Sequence, residues 1–496
     1  MPTRPPGPRR RPRHPLRPSR LLASACGAVL LLTGGAAWAG PTAVPRAPAD
    51  GREVDYLGTT VTVPADWRVV DFARDPHACL RLDRPTLYLG TPGDQADCPA
   101  RGAADRADTL HLEPAAEAAP RVDLPTLDRL AELTEDGDGP VAAALRAARE
   151  ARRTLPGGRL LATVSYAETP DTVRRILERA VTDLDADAGA PGLARTATAT
   201  PAAHPATPRT AGRPTGRPEP LDVEGFDACT APTQDTMDAW RAHSPFRAVG
   251  VYIGGRARAC AQPRLTADWI ERQRAAGWHP MPIWVGPQPW ANRATALAGE
   301  PAAAARQGLE AADGAAAAAR ALGLAPGSVL YLDVEHYQDR AAWDAPVLAY
   351  TAAWTERLHE LGWASGVYAA ANSGVRALAG HHERERAGTP DVLWSAAWNG
   401  RAETGDTAMG LPAGTPLWSG ASRVHQYRGD HAATFGGARL TIDRNRVLVA
   451  PDGGPGEGPG GGPGGDPGGG PGDPGSPVPT LPLDLPGPTG YPFGLT

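Results

Sequence analysis

Two carboxylates one residue apart end the stretch VLYLDVEHY, residues 329–337, which otherwise has the composition of a buried strand. Side chains alternate along a strand, so Asp333 and Glu335 share one face. The opposite face is apolar and consists of Leu330, Leu332 and Val334. Because an isolated buried charge is costly, buried carboxylates are normally paired, bound to a metal or functional. The pattern fits a barrel strand that ends at a catalytic rim, and it also fits an edge strand with a solvated polar face.

Two more acids lie near the ends of predicted strands: Asp227 in LDVEGFDAC, residues 221–229, and Asp443 in ARLTIDRN, residues 438–445. In a β/α barrel all four carboxylates would lie at the C-terminal mouth, where the active sites of such barrels are found. Four acids at one mouth are suited to glycoside cleavage, or to binding a hard cation through oxygen ligands.

Aromatic residues predicted around this mouth together favour a sugar over a cation, although any one of them alone is more often an ordinary core residue. We therefore predict a polysaccharide substrate and neither a metal nor a cofactor. The predicted substrate-binding residues are Tyr252, Trp284, Tyr337, Trp398, Gln426 and Tyr427.

Alternating strands and helices in residues 221–450 predict an α/β fold, a (β/α)8 TIM-type barrel. The main alternative is a doubly wound open sheet. The predicted strands are 221–229, 248–255, 281–286, 328–337, 364–370, 391–398, 423–428 and 438–445, and the predicted helices are 233–243, 266–277, 301–324, 345–362 and 372–381.

Periodicity within the strands favours the closed barrel. In 248–255 apolar residues alternate with Tyr252, and in 281–286 Met281, Ile283 and Val285 alternate with Trp284. We expect the apolar sets to contact the helices, and Tyr252 and Trp284 to point into the barrel. A doubly wound sheet would need both faces to be apolar.

Seven motifs, GFDAC, YIGG, YLDVEHY, GVYA, WSAAW, HQY and IDRN, occur in this order within residues 221–450. In that order they resemble a secreted actinobacterial glycoside-hydrolase-like domain of unknown function, which is similar to the family 25 lysozymes that cleave peptidoglycan on a (β/α)8 barrel. The resemblance implies that Glu335 is the general acid and that Asp333 assists the acetamido group of the substrate. It also implies that Asp227 and Asp443 hold charge and substrate.

This sequence departs from the lysozyme pattern in two places. His425 stands where the lysozymes often have tryptophan, and the irregular region 399–422 replaces a regular crossover helix. Both are expected to line the groove, so the sequence does not decide which sugar is bound.

The N-terminus predicts export. Residues 1–39 combine an arginine-rich start, a short apolar run and the small-residue site Ala37-Trp38-Ala39, as in a cleaved signal peptide. An uncleaved anchor is the alternative. The whole chain carries a net charge of −5 and the first 39 residues hold seven arginines, so the exported chain is near −12. We predict a secreted, extracellular or cell-wall-associated monomer with no stable membrane insertion and no nucleic-acid partner.

The chain has no lysine, since arginine supplies all 50 of its basic residues. This excludes a P-loop lysine and Schiff-base chemistry. An even number of cysteines in an exported chain indicates disulfides. Spacing favours Cys79–Cys98 and Cys229–Cys260, the second because its cysteines follow neighbouring parallel strands; this bond would clamp the mouth beside Asp227.

Three further regions flank the barrel. Residues 40–187 predict a small α+β accessory domain with short strands and helices in LPTLDRLAEL, VAAALRAAREARR and DTVRRILERAVTDL. Residues 188–220 read as a Pro/Thr/Ala linker and 451–496 as a Gly/Pro-rich disordered tail. We expect 221–450 to fold alone.

Three functions fit these observations. The first is a secreted glycoside hydrolase-like protein, a lysozyme-like muramidase or related glycosidase, that cleaves or binds N-acetylated, peptidoglycan-type glycan with Glu335 as general acid. The alternative is a non-catalytic carbohydrate-binding or cell-envelope module on the same barrel. The third is a metal-dependent enzyme.

Overall fold

The computed structural model describes residues 51–100, 102–119, 121, 124–132, 149–182, 219–414 and 417–450. The predicted signal peptide, nearly all of the predicted linker and the predicted tail lie outside these residues. Within the described ranges, no helix has both the length and the apolar character needed to cross a bilayer.

Within the residues that the structure describes, the first domain contains two sheets and two helices, in agreement with the predicted α+β class. Its core is formed by apolar residues of both sheets and of both helices. One sheet has three strands, β1 Gly51–Tyr56, β2 Thr59–Pro64 and β8 Val181–Thr182. The other has the order β3-β4-β5-β7-β6 and consists of β3 Arg68–Asp71, β4 Thr86–Leu89, β5 Thr109–Pro114, β6 Glu150–Thr154 and β7 Leu160–Ser165. The helices are α1 Leu127–Glu132 and α2 Asp171–Glu178.

Two helix predictions in this domain are partly wrong. Residues 150–153, predicted as the end of a helix in VAAALRAAREARR, belong to the edge strand β6, which pairs antiparallel with β7. The strand is favoured because it buries the Glu150 carboxylate between Arg106 and Arg258, contacts far away in the sequence that outweigh local helix propensity. The helix predicted in DTVRRILERAVTDL ends at Glu178, and Val181–Thr182 pairs with β2 instead.

The second domain is a closed eight-stranded barrel with the strand order β9 to β16 around the wall, which confirms the predicted α/β barrel class. Its strands are β9 Leu221–Asp227, β10 Phe246–Gly254, β11 His279–Trp284, β12 Val329–Val334, β13 Ala364–Ala370, β14 Val392–Ala396, β15 Ser422–Phe435 and β16 Ala438–Val449. Its helices are α3 Gln234–His243, α4 Ala267–Ala275, α5 Pro301–Ala321, α6 Arg340–Glu360, α7 Gly374–Arg384 and the short α8 Asp406–Met409.

The last strand differs from the regular β/α pattern. Strands β9 to β15 are mutually parallel, but β16 is antiparallel to both of its neighbours. Only Gly436 and Gly437 separate β15 from β16, and both have positive φ, 58° and 83°, as two-residue hairpin turns require. Asp443 therefore lies in the middle of its strand, directly opposite Asp227 in the register, and not at a C-terminal strand end.

The barrel wall separates two apolar layers. In β12, Leu330, Leu332 and Val334 pack towards the helices, whereas Tyr331 lies in the interior cluster. This confirms the predicted faces of β12, and those of β10 agree likewise.

The predicted faces of β11 are wrong. Met281 and Ile283 fill the barrel interior, and Trp284 packs outside it in the layer shared with the helices. The indole ring of Trp284 lies over Gly254, where a Cβ would come within 2.3 Å of the ring, so the glycine provides the space for it.

The first domain is joined to the barrel by buried contacts. Backbone hydrogen bonds run from Leu82 N to Ala259 O, 2.8 Å, and from Ala261 N to Leu80 O, 3.0 Å. The predicted disulfides Cys79–Cys98 and Cys229–Cys260 are confirmed, each with a Cα–Cα distance of 5.7 Å, and they share one apolar cluster although they belong to different domains. The expectation that residues 221–450 fold alone stays a prediction, and these contacts argue against it.

Candidate active site

Three strands bring the four predicted acids to the barrel mouth. Asp227 ends β9, Asp333 lies in β12 with Glu335 just beyond that strand, and Asp443 enters from β16. The three aspartates are buried, whereas Glu335 is partly exposed. Among the described residues, no arginine forms an ion pair with any of the three aspartates. The mouth is therefore a cluster of carboxyl groups without cationic partners for its buried members.

Asp227 is held by three hydrogen-bond donors. Tyr252 Oη donates to Oδ1 at 3.0 Å, and Asn445 Nδ2 and Gln426 Nε2 donate to Oδ2 at 2.8 Å and 3.1 Å. Burial raises the pKa of Asp227, and these three hydrogen bonds oppose the rise. Gly250 makes the room: a Cβ there would come within 2.6 Å of Asp227 Cβ.

Asp443 retains a proton at neutral pH. Burial, followed by the neighbouring Asp227 charge, raises its pKa to about 9. Its Oδ1 accepts a hydrogen bond from Asp430 N at 2.6 Å, and its Oδ2 lies 3.5 Å from Gln426 Nε2. The pair of Asp227 and Asp443 thus carries fewer charges than two free carboxylates would.

Asp333 is the least compensated acid of the mouth. Burial, followed by the charges of Glu335 and Asp227, raises its pKa well above the usual range. Its Oδ1 is buried and has no hydrogen-bond partner among the described residues. Such an atom is costly to leave unsatisfied, so it marks a place where a ligand donor is favoured.

Gln288, which the sequence prediction missed, fixes the end of β12. Its Nε2 donates to Asp333 O at 2.8 Å, and its Oε1 accepts from Glu335 N at 2.9 Å. One buried amide therefore positions the backbone of both acids. The signal that could have found it is a polar amide four residues after a buried strand, in the loop that must face the mouth.

Gln426 is the centre of the mouth network. Its Nε2 faces Asp227 and Asp443, while its Oε1 accepts from Tyr368 Oη at 3.1 Å and Trp398 Nε1 at 2.8 Å. The Trp398 side chain is 58% exposed, so its ring lies open to solvent at the rim. Of the predicted substrate-binding residues, Tyr252, Trp398 and Gln426 are brought together here; Tyr368 was missed.

The other three predicted substrate-binding residues lie elsewhere. Trp284 is 2% exposed in the layer outside the barrel, and Tyr337 is buried in the same layer with its Oη donating to Asp344 Oδ1 at 2.8 Å. Tyr427 follows the inward-facing Gln426, so strand alternation turns it outward, where its Oη contacts Glu224 Oε2 at 3.3 Å. The structure does not bring these three side chains to the mouth.

His425 is also turned away from the mouth. It is fully buried, and its ring nitrogens contact Glu403 O at 2.6 Å and Ala397 O at 2.9 Å. It therefore holds the irregular region after β14 in place. The sequence had suggested that His425 lines the groove, and in the structure it does not.

No group of three or more histidine, cysteine, aspartate or glutamate side chains in the described ranges is arranged to hold a metal ion. The acids nevertheless suit proton transfer, because burial raises the pKa values of the three aspartates, so that they hold protons more tightly than free carboxyl groups do. The absence of a metal or cofactor stays a prediction.

Comparison with known proteins supports the resemblance found in the sequence. Residues 238–447 match the family model described as Rv2525c-like, glycoside hydrolase-like domain. Over these residues the chain is therefore similar to a glycoside hydrolase-like family, as the motifs predicted. No match to this chain was found among curated proteins.

Solved structures from three organisms are similar to the barrel region. An uncharacterized B. stearothermophilus protein is 25% identical, with a TM-score of 0.33, over 45% of this chain and 95% of that chain. The Tat-secreted protein Rv2525c of Mycobacterium tuberculosis is 14% identical, with a TM-score of 0.31, over 46% and 95%. The spore cortex lytic enzyme SleM of Clostridium perfringens is 14% identical, with a TM-score of 0.32, over 46% and 68%.

Proposed function

We propose that this protein is a secreted glycoside hydrolase that cleaves N-acetylated, peptidoglycan-type glycan, with Glu335 as the general acid. The observation that carries the proposal is the unpartnered, buried Oδ1 of Asp333 two residues from Glu335 at the barrel mouth. The match of residues 238–447 to a glycoside hydrolase-like family model supports the reaction class.

In the first step Glu335 donates its proton to the glycosidic oxygen as the bond from that oxygen to the anomeric carbon breaks. The carbonyl oxygen of the substrate acetamido group forms a bond to the same carbon, giving a cyclic intermediate. Asp333 Oδ1 accepts the acetamido N–H, which supplies the hydrogen bond that this atom lacks in the free protein. This one hydrogen bond thus gives Asp333 Oδ1 its missing donor and also orients the acetamido group of the substrate.

In the second step a water molecule attacks the anomeric carbon and Glu335 takes its proton, which restores the acid. The acetamido carbonyl is released, and two displacements at one carbon give net retention. Asp227 and Asp443 provide oxygen atoms that accept hydrogen bonds from substrate hydroxyl groups, and the protonated Asp443 can also donate one. Trp398 offers its exposed ring to the face of a sugar.

The location of the protein and the kind of partner it binds are proposed from the whole sequence. The predicted signal peptide places the protein outside the cell, in contact with cell-wall glycan. The acidic charge of the exported chain disfavours nucleic acid and other polyanions. We propose that it acts there as a monomer without membrane insertion.

The proposal is tested by measuring the release of reducing ends from purified peptidoglycan and from chitin-type oligomers, with and without a chelator. We expect release that a chelator leaves unchanged. Binding of either glycan without release would indicate the non-catalytic carbohydrate-binding module instead, and loss of release with chelator would indicate a metal-dependent enzyme.

A further inference from the structure

The first domain borders one half of the barrel mouth. Its residues 96–100 and 102–104, here called the rim segment, run along the ends of the barrel strands. Thr441 N in β16 donates to Ala96 O at 2.7 Å, and Ala103 N donates to Ala257 O, beyond β10, at 2.8 Å. Asn292 N, in the loop after β11, donates to Ala104 O at 2.9 Å. The segment therefore passes from β16 across β9 and β10 to β11.

The rim segment reaches the candidate active site itself. Ala100 and Gly102 line a small cavity together with Tyr252, whose hydroxyl donates to Asp227. A Cβ on Gly102 would lie 3.8 Å from Glu335 Cγ and 3.4 Å from the ring of Trp290. The first domain thus forms part of the wall next to the proposed general acid.

Several contacts fix this wall in place. Cys98 and Ala103 are buried in one apolar cluster with the Cys229–Cys260 disulfide, and Cys98 is itself bonded to Cys79. Thr295 Oγ1 donates to Ala104 O at 2.7 Å, which ties the segment to the loop that carries Gln288 and Trp290. The wall is thus held by the Cys79–Cys98 disulfide, by apolar packing against Cys229–Cys260 and by hydrogen bonds to the barrel.

The opposite half of the mouth, around β13 to β15, is built differently. Tyr368 and Gln426 lie there beneath Trp398, whose side chain is 58% exposed. On the walled side, the partly exposed tryptophan is Trp290, at 37%, and it lies against the rim segment. A sugar chain therefore has an open approach over Trp398 and meets a wall at Trp290.

We infer that the first domain closes one end of the glycan groove, so that the site accepts the end of an N-acetylated glycan chain and not its interior. This inference rests on the proposed function. The substrate class is then short oligomers and chain termini, with the terminal sugar beside Glu335 and its far end against the wall.

The experiment uses the full exported chain and two chitin-type oligomers of equal length. One carries a bulky fluorophore at its reducing end, the other at its non-reducing end. Binding is followed by fluorescence anisotropy and cleavage by product analysis. We expect one labelled oligomer to bind at least about tenfold more weakly than the other, because its label meets the wall.

Two tryptophan variants serve as a matched pair. Trp290→Ala widens the walled end and should bring the two affinities closer together. Trp398→Ala removes the ring on the open side and should weaken both oligomers by about the same factor, so that their ratio is unchanged. A thermal melt of each variant confirms that it is folded.

Equal binding of the two labelled oligomers by the unmodified protein overturns the inference, as does a ratio that Trp398→Ala changes and Trp290→Ala does not. Unequal binding without cleavage removes the proposed hydrolysis but supports the closed groove. Failure to bind either labelled oligomer or unlabelled glycan overturns both the proposed function and the inference.

Discussion

Two groups of buried acids in this molecule have opposite electrostatics. Between the domains, Glu150 Oε1 contacts Arg106 Nη2 at 2.7 Å and Arg258 Nη2 at 2.5 Å. Burial alone would raise the pKa of Glu150, but Arg258 and Arg106 hold it at about 2. At the barrel mouth, Asp443 is similarly buried beside Asp227, and its pKa is raised to about 9.

The difference lies in what accompanies the carboxylate. A buried acid that joins two domains is paired with cations, because an uncompensated charge would oppose folding. Asp227 and Asp443 at the mouth have amide and hydroxyl donors instead, which orient the groups, and no cation outweighs the rise in pKa that burial causes. The interdomain group thus stabilises the fold, and the mouth group is free to exchange protons with a substrate.

The largest expected effect on stability is that of Glu150→Gln. This change keeps the shape of the side chain but leaves two buried guanidinium groups without their counterion. We expect a loss of about 3–5 kcal/mol in the free energy of unfolding, measured by denaturant titration. A loss below about 1 kcal/mol would contradict the structural role of this cluster.

The mouth acids should give stability the opposite pH dependence. An acid with a raised pKa stabilises the folded state at low pH, and that contribution is lost as pH rises from the unfolded value near 3.8 towards about 9. Stability should therefore fall by up to about 1.4 kcal/mol per pH unit between pH 6 and 8. Asp443→Asn should flatten this fall, and an unchanged slope in the variant would show that Asp443 does not hold the proton.

At acidic pH, the change in folding stability should depend mainly on Glu150. Its lowered pKa gives a contribution that is present above the unfolded value near 4.5 and is lost as pH falls towards about 2. Glu150→Gln should remove this part of the acid-induced loss, although the variant is less stable at every pH. Urea titrations at pH 3, 4 and 5 measure it, and a variant as acid-sensitive as the unmodified protein would contradict the pairing.

The smallest effect is expected for an exposed ion pair of the same interface. Asp97 pairs with Arg439, and both side chains are about half exposed. Surface pairs contribute about 0–1 kcal/mol, so Asp97→Asn should change the free energy of unfolding by no more than that. A larger loss would mean that exposed and buried interface charges are equivalent here, which would remove the contrast with Glu150.

Local pattern predicted much of the barrel. The alternation in VLYLDVEHY predicted the apolar face of β12 correctly, and the strand predicted at 364–370 has those bounds in the structure. Hydrophobic periodicity and turn residues act within a few positions, so they can be read from a short stretch of sequence. Disulfide spacing belongs to the same class of signal.

The features that were missed depend on distant contacts. Glu150 and Arg258 are 108 residues apart, and their pairing is what makes residues 150–154 a strand. Trp284 faces outward because Gly254 on the neighbouring strand leaves space for its ring. Gln288 gains its role only when the loop after β11 meets the end of β12. The antiparallel course of β16, by contrast, follows from the local Gly436-Gly437 turn.

Glu335→Gln tests the central claim most directly, with Glu383→Gln on an exposed helix position as the matched control. Reducing-end release and the free energy of unfolding are measured on the same samples. Because general acid catalysis contributes about 10²–10⁴-fold, hydrolysis should fall by that factor while oligomer binding and stability persist, and the control should retain activity. A Glu335→Gln protein that melts much earlier, with unchanged specific activity in its folded fraction, would contradict the catalytic assignment.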